Sequence, residues 1–179
     1  MKILKTRNDL LDILPKNIIV AEIGVFKGDF SKIIYEKIEP KELHLIDIFD
    51  GEMCSGDKDG NNVVWANLND EYLKLKNEYN NNSVIHLHKG CSFNTLNNFP
   101  DGYFDLIYID GDHSYEGVKK DLEVSYRKIK KGKHICGHDY SKNIFQSVVN
   151  AVDEFCRDKN LKIDFLTEDG CPTYCIVVD

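Results

Sequence analysis

A chain of 179 residues, 42% hydrophobic and 30% charged, is expected to fold as one domain over 1–179 with a full hydrophobic core. Its net charge of -7 disfavours phosphate binding, so no nucleic-acid partner is expected; a sulfonium, an amine or a metal cation suits such a surface better. No apolar run is long enough to span a membrane, the start "MKILKTRNDLLDILPKN" does not read as a signal peptide, and six cysteines without zinc spacing read as reduced thiols, so the expected setting is cytoplasmic with no membrane partner.

Apolar runs and helical patterns then alternate. "NIIVAEIG" (17–24) is a β-branched strand ending in glycine, and "KGDFSKIIYEKI" (27–38) is an amphipathic helix. "ELHLIDIF" (42–49) is a second strand, and "NVVWANLNDEYLKLKNEY" (62–79) reads as a helix carrying Trp65 and Tyr72. "SVIHLHKG" (83–90) is a third strand and "FDLIYID" (104–110) a fourth. "SYEGVKKDLEVSYRKIKKG" (114–132) reads as a helix closed by Gly132, "KHICGHD" (133–139) as a fifth strand, and "NIFQSVVNAVDEFCRD" (143–158) as a helix. The last segment, 161–179, reads as a hairpin turning at Glu168-Asp169-Gly170. Strands separated by helices imply a mostly parallel sheet with helices on both faces. The polar stretch from Asp50 to Asn62 is long enough for a lid. Its Asp57, Asp59 and Asn61 have calcium-loop spacing, but a misplaced glycine and Leu68 at the twelfth position argue against an EF-hand.

Ligands of an open parallel sheet bind beyond the carboxyl ends of its strands. Those ends carry Glu22, Gly24 and Gly28; Asp47 and Asp50; Gly90, Cys91 and Ser92; Asp110, Asp112 and His113; and His138, Asp139 and Tyr140. So many carboxylates favour a cationic ligand, a metal or ribose hydroxyls. "AEIGVFKGDFS" (21–31) is a glycine turn but neither GxGxxG nor a P-loop, so nicotinamide and triphosphate sites are disfavoured. Asp47, 23 residues beyond Gly24, has the spacing of a ribose-binding carboxylate, and the bland alternative is a turn cap. Asp110 and the His138-Asp139 pair fall at strand ends expected to be neighbours, which would bring two carboxylates and an imidazole to one ion; each also has a bland explanation as a turn or cap residue.

The stretches "AEIGVFKGDFS", "LHLIDIFDG", "HKGCSFNTL", "FDLIYIDGDHSYEGVKKDL" and "KKGKHICGHDY" together resemble class I S-adenosylmethionine-dependent methyltransferases, and among them the metal-dependent sugar O-methyltransferases of the macrocin and novobiocin type. The resemblance implies a Rossmann-like, seven-stranded sheet whose last strand is inserted antiparallel. It implies that Glu22 and Gly24 line the methionine part of S-adenosylmethionine, that Asp47 holds the ribose, and that Gly90, Cys91 and Ser92 lie near the adenine. It implies further that Asp110, His138 and Asp139 hold a divalent metal, and that Asp112 is the base. One departure is His138, where these relatives usually carry a carboxylate; imidazole suits manganese, iron or zinc better than magnesium.

Methyl transfer to a hydroxyl needs a nucleophile made stronger, and a metal with a nearby carboxylate does that. The resemblance thus implies O-methylation of a hydroxyl on a sugar or other small-molecule or glycan acceptor. The chain is shorter than the antibiotic-pathway relatives, which leaves room for a homodimer completing the acceptor site. His113 competes with Asp112 for the role of base, with Asp112 preferred; being adjacent on a turn, the two are not both expected to face the acceptor. The rivals are a metal-independent methyltransferase and a non-catalytic cofactor-binding subunit. His86 and His88, alternating with apolar residues, are expected to lie on a surface or crevice.

Overall fold

The protein is described by a computed structural model that covers residues 1–55 and 64–179. Its elements are β1 (Lys2–Leu4), α1 (Arg7–Ile13), β2 (Ile19–Ile23), α2 (Asp29–Ile38), β3 (Glu42–Asp47), β4 (Glu52–Ser55), β5 (Val64–Asn67), α3 (Leu68–Glu78), β6 (Ile85–Lys89), α4 (Ser92–Asn97), β7 (Phe104–Ile109), α5 (Tyr115–Lys128), β8 (Ile129–Gly137), α6 (Gln146–Asp158), β9 (Ile163–Thr167) and β10 (Tyr174–Val178). Eight strands form one sheet in the order β1-β9-β10-β8-β7-β2-β3-β6. β10 runs antiparallel between β8 and β9, and the other pairings are parallel. This is the α/β, Rossmann-like sheet with a C-terminal antiparallel hairpin expected from the sequence, widened by β1.

β2 and β7 are central because they are apolar on both faces, as a sheet covered by helices on each side requires. Alternate residues feed two cores. Ala21, Ile23, Ile107 and Ile109 pack with α4, α5 and α6; Val20, Leu106 and Tyr108 pack with α1, α2 and α3. Among the described residues, no helix is long and apolar enough to cross a membrane. The five cysteines described, Cys91, Cys136, Cys156, Cys171 and Cys175, carry no disulfide.

Two expected helices begin or end elsewhere. Residues 64–67 form β5, paired antiparallel with β4, and α3 starts at Leu68 because Asn67 caps it, accepting from the amides of Asn69 and Asp70. Trp65 is therefore on a strand, not beside Tyr72 on a helix. Helix α5 ends at Lys128, not at Gly132. Ile129 pairs with Phe104, and Gly132 (φ 71°) sits where the β7–β8 register shifts, in an irregularity of β8. Of the suspected lid, residues 56–63 lie outside the described residues, as do Asp57, Asp59 and Asn61.

Candidate active site

The strands of the parallel core end on one side, and a cavity of about 490 Å³ opens there, a size suited to a small-molecule ligand. Its walls include Gly24, Asp47, Gly90, Cys91, Ser92, Asp110 and Asp112 from the strand ends. It lies beside the junction of β2 with β7, where the winding of the sheet reverses, the usual ligand position in such a sheet.

Gly24 has φ 86°, and a Cβ there would fall 2.0 Å from the Asp110 carbonyl oxygen, so only glycine lets the β2–α2 turn lie against the end of β7. Asp47 organises the adjoining turns. Its Oδ2 accepts from the amides of Val25 (2.8 Å) and Phe26 (3.0 Å), and its Oδ1 from Phe49 (2.8 Å). Phe26 and Phe49 both have positive φ, a costly conformation for an aromatic residue that these bonds hold in place. Asp47 thus acts as a turn cap while still lining the cavity.

Two expected cavity residues lie elsewhere. Gly28 starts α2 against Leu75, 2.7 Å from where its Cβ would be, and is not part of the cavity wall. Glu22 is 1% exposed beneath the sheet surface, accepting from the Ser31 hydroxyl at 2.5 Å, and is not part of the wall either. Burial pushes its carboxyl pKa up to about 8, against the opposing effect of the Ser31 bond.

The turn after β7 separates Asp112 from His113. Asp112 folds back on the start of α5, accepting from the Ser114 amide (2.8 Å) and hydroxyl (2.9 Å). His113 goes the other way: its Nε2 lies 3.1 Å from Asp139 Oδ2 and 3.7 Å from Asp110 Oδ1. The expected ligand set is therefore rearranged. Asp110, His113 and Asp139 each present one donor atom within 4.8 Å of the other two. His138 stands beside them, its Nδ1 3.1 Å from Asp139 Oδ1 and 3.7 Å from Asp110 Oδ1. The preferred base, Asp112, is fixed away from this cluster as a cap.

The set fits a divalent ion. His113 Nε2 is buried without a hydrogen-bond partner, although the Asp139 carboxylate lies 3.1 Å away. Ions bound at about 2.0 to 2.2 Å place their ligands roughly 3 Å apart, close to the separations found. Asp139 is 5% exposed and has φ 62°, a strained backbone of the kind that accumulates at functional positions. Burial raises the Asp139 pKa, but the His138 hydrogen bond and the charges of His138 and His113 outweigh it and leave the carboxyl below its ordinary value. Asp110 and then Asp139 raise the His113 pKa against the effect of burial.

Several site residues escaped the sequence reading. Arg7, delivered by the unassigned α1, places NH1 3.9 Å from Asp110 Oδ2 and stacks 4.1 Å over Phe30. Its legible signal was the Thr6–Asp9 capping box at the helix start. Asp121 on α5 lines the cavity, 4% exposed, and accepts from the Ser92 hydroxyl at 2.5 Å; burial lifts its pKa to about 6. Ile48 and Phe93, 58% and 40% exposed, are apolar side chains on the cavity wall.

Residues 21–140 match the family described as "Methyltransferase domain", and the chain belongs to it. An uncharacterized protein of Acanthamoeba polyphaga mimivirus is 28% identical over 123 residues, 67% of this chain and 50% of that protein, so the chain matches about half of that relative's length. A SAM-dependent methyltransferase from Aquifex aeolicus has a similar structure (TM-score 0.64, 15% identity, 93% of this chain and 85% of that one). So has geranyl diphosphate C-methyltransferase from Streptomyces coelicolor A3(2), in complex with Mg2+, geranyl diphosphate and S-adenosyl-L-homocysteine (TM-score 0.64, 9% identity, 97% and 78%). At these identities the two structures attest the fold.

Proposed function

We propose that the chain is an S-adenosylmethionine-dependent O-methyltransferase, acting on a hydroxyl of a sugar or sugar-bearing small molecule with a divalent ion held by Asp110, His113 and Asp139. The observation that carries this reading is a shared wall. Asp110 lines the cavity and also belongs to the partly buried Asp110–His113–Asp139 cluster, so a donor in the cavity and an acceptor at the cluster would meet. Family membership and the S-adenosyl-L-homocysteine bound in the Streptomyces enzyme support the donor.

The chain's residues divide the work. Ile48 and Phe93 offer apolar surface to the adenine. Three of the four lone-pair positions of Asp47 are used by backbone amides, leaving one acceptor for a ribose hydroxyl. Gly24 leaves the turn open to the methionine part. Asp110, Asp112 and Asp121 around the cavity favour a sulfonium cation electrostatically. When bound, a divalent ion supplies a Lewis acid that lowers the pKa of an acceptor hydroxyl. His138, oriented by Asp139 through Nδ1, takes the hydroxyl proton on its other nitrogen. A second reading, metal-independent transfer with His113 as the base, is favoured by its closeness to two carboxylates that would stabilise its imidazolium.

The test is turnover of S-adenosylmethionine against a panel of sugars and glycosides. Chelator should stop it, added manganese or magnesium should restore it, and calorimetric affinity for S-adenosylhomocysteine should survive chelation. Asp139→Asn should lower turnover by about a hundredfold or more while product affinity stays within a few fold. Turnover that persists in chelator but disappears in His113→Asn selects the second reading. No binding of S-adenosylhomocysteine sinks the donor assignment.

A further inference from the structure

A second cluster lies toward the opposite ends of the strands, His44 being roughly 10 Å along β3 from Asp47. Glu42 and His44 share one face of β3; His86 and His88 face them from β6, with His44 and His86 as register partners. One donor atom from each of Glu42, His44 and His86 lies within 4.8 Å of the other two. His44 is 5% exposed and uses both nitrogens: Nε2 is 3.2 Å from Glu42 Oε2, and Nδ1 is 3.0 Å from His88 Nε2. Tyr103 donates to the same Glu42 oxygen at 2.5 Å, and Phe99 and Phe104 wall off the His44 ring. A core histidine needs one or two partners. Here three imidazoles and a carboxylate converge at a place the methyl-transfer reading does not use.

We propose that Glu42, His44 and His86 bind a zinc ion, with His88 accepting from His44 Nδ1 and so fixing the ring that ligates. Two imidazoles and one carboxylate are a zinc-type donor set, ill matched to magnesium or calcium. Tetrahedral zinc places its ligands about 3.3 Å apart, and the His44–Glu42 pair already has that spacing. His86 is partly buried with its ring stacked 4.8 Å from that of His44, so ligation calls for a turn of the His86 ring, and the partial exposure of Glu42 and His86 leaves a fourth position to water. A metal-ligating histidine characteristically engages its second nitrogen with an outer partner, the arrangement seen at His44 and His88. Since β6 is the edge strand, an ion here would tie that edge to β3.

The experiment uses metal-free Asp139→Asn protein, in which the other cluster is disabled, titrated with zinc chloride by calorimetry and followed by thermal melting. One zinc per chain and a rise in Tm are expected. Adding His86→Ala should abolish both effects. Adding His88→Ala should weaken binding about tenfold to a hundredfold, the scale for losing an outer partner of a ligating histidine. Glu42→Gln, which keeps the size of the side chain, is the control should His86→Ala fold poorly, and it too should lose the ion. The proposal is overturned if Asp139→Asn protein takes up no zinc, or if uptake is unchanged in folded His86→Ala and Glu42→Gln proteins.

Discussion

Glu22 is a carboxylate in a place made for a neutral group. It lies between its register partners Leu45 and Tyr108, and the Ser31 hydroxyl is the hydrogen-bond donor to it. Its pKa of about 8 in the fold, against 4.5 for an unperturbed glutamate, means that the folded chain holds a proton the unfolded chain has released. The folded state binds more protons between those values, so stability falls as pH rises from about 4.5 through 8, by on the order of 1 kcal/mol per pH unit. Glu22→Gln keeps an acceptor for Ser31 and has nothing to ionise. Its urea midpoint should match the wild type near pH 4.5 and exceed it increasingly toward pH 8. Parallel profiles for the two proteins would show that Glu22 does not carry the dependence. Glu22, one residue before the cavity-lining Ile23, was legible as a strand-end carboxylate, while its direction was not: a strand residue's face depends on which neighbours close over it.

At the scale of elements, the start of α5 joins the two halves of the site. Gly117 stands in the first turn of the helix, where glycine ordinarily costs about 1 kcal/mol relative to alanine. It is tolerated because a Cβ there would lie 2.4 Å from Asp112 Oδ2 and 2.7 Å from Asp112 Cβ. Gly117→Ala should therefore lose, not gain, stability, and S-adenosylhomocysteine affinity should fall with it. Combining it with Asp112→Gly, which removes the Cβ as well as the carboxylate, should relieve the crowding and recover part of the lost stability. A melting temperature for Gly117→Ala above the wild type would refute the crowding argument. Strand ends such as Asp110 and Asp139 could be read from sequence because long β-branched runs announce strands and a parallel sheet gathers their ends. What the turn does next could not. The opposite headings of Asp112 and His113 depend on the hydrogen bonds from Ser114, and His113's place in the cluster follows from them. Boundaries failed where local pattern and pairing competed: the apolar Ile129 continues a helical period, yet pairs with Phe104 in the sheet.

For the molecule as a whole, a ligand that binds only the fold adds to its stability by mass action. S-adenosylhomocysteine at a hundred times its Kd should contribute about 2.7 kcal/mol. For a chain of this size that is a rise in Tm of roughly 5 to 11 °C. NAD at the same concentration should give none, and the reverse result would contradict the cavity assignment. The parallel core and its hairpin were evident from alternating strands and helices, whereas β1 was not, since three residues of a charged segment carry no periodicity. That small strand sets an order of assembly. Lys2 pairs with Phe165, the Arg7 amide donates to Asp169, and the Glu168 amide donates to Leu4. On a ribosome adding about 5 to 20 residues per second, Lys2 and Arg7 must wait roughly ten to thirty seconds for these partners to emerge. The central strands, from β2 to β8, are all synthesised in that interval. Arg7, and with it the positive charge beside Asp110, is thus translated before the central strands and anchored to Asp169 only after them.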